Sequence, residues 1–346
     1  MGFMKDLQLG NGTHKLGLLG FGAAPIGNLY RETSDESAYA AVFSALDSDI
    51  NYFDTAPYYG FGLSEKRLGE ALRAHPKGKN AILSSKVGRC LRPTSALDNA
   101  IRYGFASSEM QEPYFDYSYD GIMQSFESSQ HRLGVEKIHI LFAHDLGVVT
   151  HGDNNATMLK QFFNGGYRAM LELKQNGLID AVGIGVNECA ACIEILQEVD
   201  LDCILLAGRY TLLDQSAAEV VLPLCSEKKI SVMLGGPFNS GILATGVTRS
   251  SGPHYYNYEP APHNIIDRVS RLEELCQPWS VNLAAAALQF PLNSAPIVCV
   301  LAGFADKNQV EQAVNLINEE IPTEFWAQLK SEGLVSQKVS LAQGAA

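Results

Sequence analysis

The sequence predicts an α/β fold, a (β/α)8 TIM barrel with long βα loops, on three observations. Short, continuously apolar runs alternate with amphipathic stretches over nearly the whole chain, eight such pairs can be counted, and several of the apolar runs lead into long polar segments. Continuous apolar runs suit parallel strands buried on both faces, and alternation with helices supplies the cover; eight repeats close a barrel. With 346 residues and 46% apolar content the chain can bury one large core. It reads as one barrel domain over 1–346, with a fraying polar tail over 335–346.

The elements follow in order. The opening MGFMKDLQLGNGTHK reads as a ragged start or a hairpin, and KLGLLGFG (15–22) as the first strand. SDESAYAAVFSALDSD offers a Ser or Asp cap and a helical pattern. NYFDTA is the second strand, and in the helix SEKRLGEALRAH Ser64 is placed to cap. NAILSSKVG is the third strand, and the helix Gly121–Leu133 comes only after a long irregular stretch. The pairs continue as KIHILFAHD with GYRAMLELKQNG, IDAVGIGVN with AACIEILQEV, and DCILLAGRY with SAAEVVLPLCSEKK. ISVMLGGPF with helices inside 264–290 and APIVCVLAGF with KNQVEQAVNLI complete the eight, and FWAQLKSEGL (325–334) can form a capping helix. A doubly wound sheet would want GxGxxG after the first strand. GLLGFGAAPIG instead sets Gly17, Gly20, Gly22 and Gly27 at other spacings, either to admit a ligand to the backbone or to pack a turn.

Composition removes whole classes of partner. A net charge of −12 with 26 scattered Lys and Arg repels nucleic acid and anionic membrane. The N-terminus lacks the apolar core of a signal peptide and no 18-residue apolar run exists, which points to the cytoplasm. Seven scattered cysteines read as reduced core thiols; Cys189 and Cys192 have CxxC spacing without a second pair, so no metal is expected. Nothing in the sequence specifies an oligomer.

In a parallel barrel the C-terminal strand ends converge on one rim. Asp54, Lys86 and His144 each close one of three successive strands, and Tyr59 follows Asp54 by five residues. Each alone is an ordinary structural residue; together they outline an active site. A tyrosine hydroxyl titrates near about 10, and a neighbouring ammonium favours its phenolate. Asp54 would keep Lys86 charged and oriented, while His144 would hydrogen-bond the substrate oxygen or share the proton. The set suits carbonyl chemistry with hydride carried by a nicotinamide, which needs no protein nucleophile. The segments 89–120, 145–164 and 237–263 lie over the same face, making Tyr58, Tyr119, Tyr255, Tyr256, Tyr258, Asn154, Asn155 and Asn257 candidate substrate contacts.

On NYFDTAPYYGFGLSEKRLGEAL, SSKVG, FAHD and GIGVN, the chain resembles the aldo-keto reductases over nearly its whole length. The resemblance implies a (β/α)8 barrel that binds NADPH or NADH in extended form without a Rossmann domain. It implies a catalytic tetrad of Asp54, Tyr59, Lys86 and His144, with Tyr59 the acid in reduction and the base in oxidation. Among cofactor-binding candidates it implies Asn187 at the nicotinamide carboxamide, with Val186 where Ser is usual, and Arg209 and Tyr210 where many members carry Gln. Gly235 falls where a stacking aromatic usually stands; Gly22 and Pro237 join the same set.

After the last strand, Gly303, Phe304 and Gln309 fall near positions where NADP-preferring members carry Lys, Ser and Arg. Asp306 adds a carboxylate that would repel a 2′-phosphate and accept from a free ribose, so NAD is the expected cofactor, with Lys307 the cation in reach. The resemblance is strongest to a branch that oxidises L-fucose, L-galactose or D-arabinose type sugars to lactones and that also contains pyridoxal 4-dehydrogenases. Both substrates present a cyclic hemiacetal, and the likeness leans to the sugar. A non-catalytic nicotinamide-binding regulatory protein is the alternative of another class.

Overall fold

A computed structural model describes residues 4–9, 12–95, 101–106, 108–248, 252–257, 259–339 and 341. Eight strands, β1 (Leu19–Gly22), β2 (Tyr52–Asp54), β3 (Ile82–Val87), β4 (Ile140–His144), β5 (Ala181–Val186), β6 (Cys203–Ala207), β7 (Ser231–Gly235) and β8 (Ile297–Gly303), pair in parallel and in chain order. β8 closes onto β1, so the sheet is a barrel with no open edge. The expected (β/α)8 architecture is therefore observed.

The inside of the barrel is a packed core. Tyr52, Ile82, Ile140, Phe142, Met233 and Cys299 fill it from β2, β3, β4, β7 and β8. Gly20 fits among them because an added Cβ would stand 2.8 Å from the Leu301 side chain and 3.0 Å from Tyr52. The apolar run 15–22 is divided. Its first half belongs to an antiparallel hairpin, Met4–Leu9 with Gly12–Gly17, whose Leu7 and Leu16 seal the end of the barrel opposite the functional rim. Lys5 Nζ ties this hairpin down by donating to the carbonyls of Ile297 (2.6 Å) and Leu292 (3.1 Å).

Around the barrel, helices bury their apolar stripes against the outer faces of the strands. Ser34 caps Asp35–Asp47 by accepting from the Ser37 amide, and Ser118 caps Tyr119–Leu133 in the same way from Gly121, two residues ahead of the expected start. Ser64 does not cap. The helix Leu63–Ala74 begins after Gly62, and the Ser64 hydroxyl binds Thr55 Oγ1 (2.9 Å) and the Ala23 carbonyl (2.7 Å), fastening the helix to the rim. The stretch SAAEVVLPLCSEKK divides into a 3₁₀ turn, Ser216–Ala218, and a helix, Val221–Lys228.

The described parts of the three long segments hold more secondary structure than their composition suggests. The first folds back as an antiparallel pair, Arg89–Pro93 with Gln111–Phe115. The second carries helices Val148–His151 and Asn155–Gln161 followed by a π-turn, Phe162–Gly166; the third holds a short helix, Ile242–Thr245, and a two-residue pairing of Tyr255–Tyr256 with Glu259–Pro260. Tyr258 lies outside the described residues. The capping helix forms over Thr323–Ser331. Where fraying was expected from 335 onward, Val335 and Val339 are buried and Lys330 Nζ donates to the Val339 carbonyl (2.9 Å). Residues 340 and 342–346 lie outside the described set.

Helix packing against helix is closest at Gly69, where an added Cβ would stand 2.0 Å from the Leu133 carbonyl oxygen, a backbone atom that cannot step aside. Gly69→Ala should destabilise the fold by about 1–3 kcal/mol through overpacking. Urea unfolding followed by circular dichroism checks this; an unchanged midpoint would contradict the packing described.

Candidate active site

The strand register brings Asp54, Lys86 and His144 to one rim: Asp54 pairs with Ser84, Lys86 with Phe142, and His144 with Gly185. Lys86 is 1% exposed and Asp54 4%. Such burial is tolerable only with every charge answered. Lys86 Nζ donates to Asp54 Oδ2 at 2.6 Å and to the Thr55 carbonyl at 2.8 Å, while Ser84 Oγ donates to Asp54 Oδ1 at 2.7 Å and meets the Tyr52 hydroxyl at 2.9 Å. Burial pushes the Asp54 carboxyl up, and the Lys86 ammonium and the Ser84 hydroxyl pull it back. Gly185 lies against the lysine stem, where an added Cβ would stand 3.4 Å from Lys86 Cε, an ordinary contact.

Tyr59 is set over this pair by a left-handed turn. Gly60 (φ 65°), Phe61 (φ 57°) and Gly62 (φ 103°) turn the chain into the helix Leu63–Ala74, and Gly27 lies so close that a Cβ on it would stand 2.8 Å from the Tyr59 carbonyl. The turn leaves Lys86 Nζ 4.7 Å from the centre of the Tyr59 ring, with the His144 ring edge-on at 6.0 Å. His144 is buried and held neutral: burial drives its imidazole down to about 3, with Lys86 and Arg89 adding to the effect and Asp145 opposing it. Its Nδ1 has no hydrogen-bond partner among the described residues. The four residues singled out in the sequence therefore surround one point: a phenol, a buried ammonium, its carboxylate and a neutral imidazole. Such a group can move a proton to or from a carbonyl or carbinol oxygen.

A cavity of about 470 Å³ opens above them. Tyr59, Lys86, His144, Gly185, Val186 and Asn187 form its floor and Tyr30, Tyr58, Tyr103 and Phe105 much of its wall, with Arg89 and Asp145 beside His144. Of the loop residues expected from the sequence to touch substrate, Tyr58 lines the cavity. Asn154, Tyr255 and Tyr256 do not line it, Tyr119 donates to Glu172, Asn257 accepts from Arg209, and Asn155 is buried within its helix. Sequence reasoning missed Tyr30, Tyr103, Phe105, Arg89 and Asp145. The signal available was adjacency, since Arg89 and Asp145 come within three residues of Lys86 and His144.

Residues 18–332 match the Aldo/keto reductase family, to which the chain belongs. It is an oxidoreductase of that family. It is 42% identical over 327 residues to pyridoxal 4-dehydrogenase from Microbacterium luteolum, covering 92% of this chain and 94% of that protein. D-threo-aldose 1-dehydrogenase from a Pseudomonas species is 38% identical over 322 residues, again with 92% and 94% covered. Among solved structures, an aldo-keto reductase from Bacillus halodurans in its holo form superposes with a TM-score of 0.73 at 25% identity, covering 99% of both chains.

Members of this family bind a nicotinamide cofactor, and the rim beyond the cavity fits one. Gly208 (φ 69°), Gly236 (φ 63°) and Gly241 (φ 96°) place positions without side chains in the loops after β6 and β7. Beside them Asn239 is 4% exposed with both polar atoms of its amide unpartnered, an arrangement that awaits a polar ligand. Asn187 lines the cavity, and Arg209 Nε donates to its carbonyl at 2.8 Å. Gly22, Gly235, Pro237 and Gly303 end or follow β1, β7 and β8 on the same rim.

Tyr210 and Phe304 stand apart from the other cofactor candidates. The Tyr210 ring is 1% exposed and stacks on Phe290 at 5.2 Å, while Phe304 is 2% exposed and packs 5.4 Å from Phe21. Both rings belong to the core because their apolar faces gain more there than at an open rim. Asp306 and Gln309 serve the helix Lys307–Ile317: Asp306 Oδ1 accepts from the Gln309 amide (3.0 Å), and Gln309 Oε1 from the Ala305 amide (2.8 Å).

His144 also carries a stability consequence. Its imidazole titrates at about 3 in the fold and near the ordinary 6.5 when unfolded, so the unfolded chain takes up the proton first as pH falls. The stability from a neutral His144 is complete above pH 6.5 and is lost as pH falls toward the folded value. Between pH 6.5 and 5.5 this loss should be about 1 kcal/mol, and His144→Gln should remove that part of the acid sensitivity. Urea unfolding of both proteins at the two pH values measures it; parallel losses would refute the buried neutral imidazole.

Proposed function

We propose that this enzyme is an NAD-linked dehydrogenase that oxidises the anomeric carbon of a cyclic hemiacetal to a lactone. The observation that carries the reading is Lys86 Nζ, buried with Asp54 and 4.7 Å from the Tyr59 ring at the floor of the cavity. The ammonium favours negative charge on the Tyr59 oxygen, so this phenol can take the hydroxyl proton of a bound hemiacetal. Asp54 and the Thr55 carbonyl hold the ammonium in place. His144, neutral, can hydrogen-bond the same substrate oxygen and so fix the carbon's orientation without adding charge. When bound, the nicotinamide accepts the hydride.

The aromatic wall of the cavity bears on the substrate. Tyr30, Tyr58, Tyr103 and Phe105 offer faces to a flat ring, and this favours a pyridoxal-type aromatic hemiacetal, as oxidised by the Microbacterium relative, ahead of the sugar favoured by sequence likeness. An aldose is the second reading, supported by the charged Arg89 and Asp145 on the same cavity and by the Pseudomonas relative. The preference for NAD rests on the Asp306 carboxylate at the start of the helix after β8, with Lys307 turned to Glu311 at 3.4 Å. Arg31, 3.9 Å from Asp306, is the counterweight.

Tyr59→Phe and Lys86→Met should each lower turnover about 1,000-fold while leaving NADH affinity within a few-fold, because both act in proton transfer. Initial rates and fluorescence titration measure the two quantities, and near-normal turnover in both variants would overturn the assignment. In the unmodified enzyme, NADH formation at mildly alkaline pH should be faster with pyridoxal than with L-fucose, L-galactose or D-arabinose. It should also be at least about tenfold more efficient with NAD than with NADP, the ratio expected from one unfavourable carboxylate near a phosphate. Equal use of NADP would remove the role given to Asp306.

A further inference from the structure

Beside the Asp54–Lys86 pair stands a second ion pair that the chemistry above does not use. Arg89 Nη1 donates to Asp145 Oδ2 at 2.6 Å, and the two side chains are 15% and 18% exposed at the cavity they line. The guanidinium lies over the Tyr58 ring, 3.1 Å from its centre, and 5.2 Å from that of Phe115. Its Nε is buried without a partner. Asp145 Oδ2 is 3.6 Å from His144 Nε2, so the pair adjoins the point where the substrate oxygen would sit.

Two backbone features hold it there. Asp145 adopts a left-handed conformation (φ 56°) uncommon for a residue with a side chain, with its amide bonded to the Gly185 carbonyl at 2.9 Å. Gly88 (φ 88°) turns the chain out of β3 against the Tyr117 ring, where an added Cβ would stand 2.2 Å away, and this turn sends Arg89 back across the rim. A surface ion pair would need neither strained turn nor aromatic bed, and would add little stability.

Resting on the hemiacetal reading, we propose that Arg89 and Asp145 form a hydroxyl-reading subsite that grips the ring hydroxyl next to the reacting carbon. The guanidinium donates a hydrogen bond to that oxygen, and the carboxylate accepts one from the hydroxyl where the group is protonated. An ionised phenolic oxygen on an aromatic ring and the neighbouring hydroxyl of an aldose both satisfy this chemistry, the first through the guanidinium alone. A substrate lacking the group leaves a desolvated charge pair partly unanswered, and that penalty is the source of discrimination. Neither residue moves a proton in the reaction; they position the ring so that its hemiacetal hydroxyl meets Tyr59.

The test compares kcat/KM for matched substrates in the full-length enzyme: pyridoxal against 3-deoxypyridoxal, and L-fucose against its 2-deoxy analogue. The wild type should prefer the hydroxylated member of the pair it uses by about 100-fold. Arg89→Gln should lower this ratio to below about tenfold for either pair, with Arg89→Lys in between because it keeps the charge and loses the fork, and Asp145→Asn should lower it for the aldose pair, whose hydroxyl still carries a proton to donate. NADH affinity by fluorescence should stay within about twofold and verifies that each variant is folded. If the wild type oxidises hemiacetals but the ratio is unchanged in both variants, the subsite is refuted and the functional reading survives. If loss of the ion pair also abolishes NADH binding, the pair is structural and the proposal fails. If no hemiacetal is oxidised by the wild type, the functional reading fails and the subsite with it.

Discussion

Burying a lysine ammonium at the mouth of an apolar barrel is the constraint around which the functional rim is arranged. The cost is met locally, by Asp54 at 2.6 Å and the Thr55 carbonyl at 2.8 Å, with Ser84 and Tyr52 satisfying the far side of the carboxylate. Removing one member would leave a buried charge unanswered, which typically costs about 3–5 kcal/mol. Neighbouring strands must therefore keep their register to the residue. A slip of one would swing Lys86 out of the barrel's inward-facing row and separate it from Asp54. The closed sheet, with β8 paired to β1, removes the freedom to slip.

The same constraint accounts for two glycines: Gly60 and Gly62, with positive φ, bring Tyr59 back over the ammonium. Chemistry is thus placed on strand ends and on one short turn, both rigid. The long segments after β3 and β4 contribute the cavity wall and its charged edge, where variation changes substrate preference without disturbing proton transfer. Relatives that share the family differ in the substrate named for them.

Much of this was legible in the chain. The alternation of apolar runs with amphipathic stretches implied a parallel barrel, because a continuous apolar strand is stable only when covered on both faces. Asp54, Lys86 and His144 could be placed on one rim from their positions at strand ends alone. Less legible were the elements whose form depends on neighbours distant in sequence. KLGLLGFG reads as one strand, yet its first half pairs backward in a hairpin that plugs the barrel. Ser64 carries a capping signature but bonds to Thr55 and Ala23, which lie on other elements. Polar composition suggested irregular loops where a hairpin and helices occur, since exposed secondary structure needs no apolar period to announce it.

The sequence by itself determined the fold class, the family and the four polar residues on the rim, because strand period, alternation and residue spacing are local properties of the chain. Tertiary structure alone decided which aromatic side chains face the cavity. Tyr30, Tyr103 and Phe105 converge on it from two segments, while Tyr210 turns into the core against Phe290, and no periodicity distinguishes these cases. It alone decided, too, that Arg89 and Asp145 meet at 2.6 Å across 56 positions. Contacts between residues so far apart are settled by barrel closure and loop packing, and that geometry is written in no single stretch of sequence.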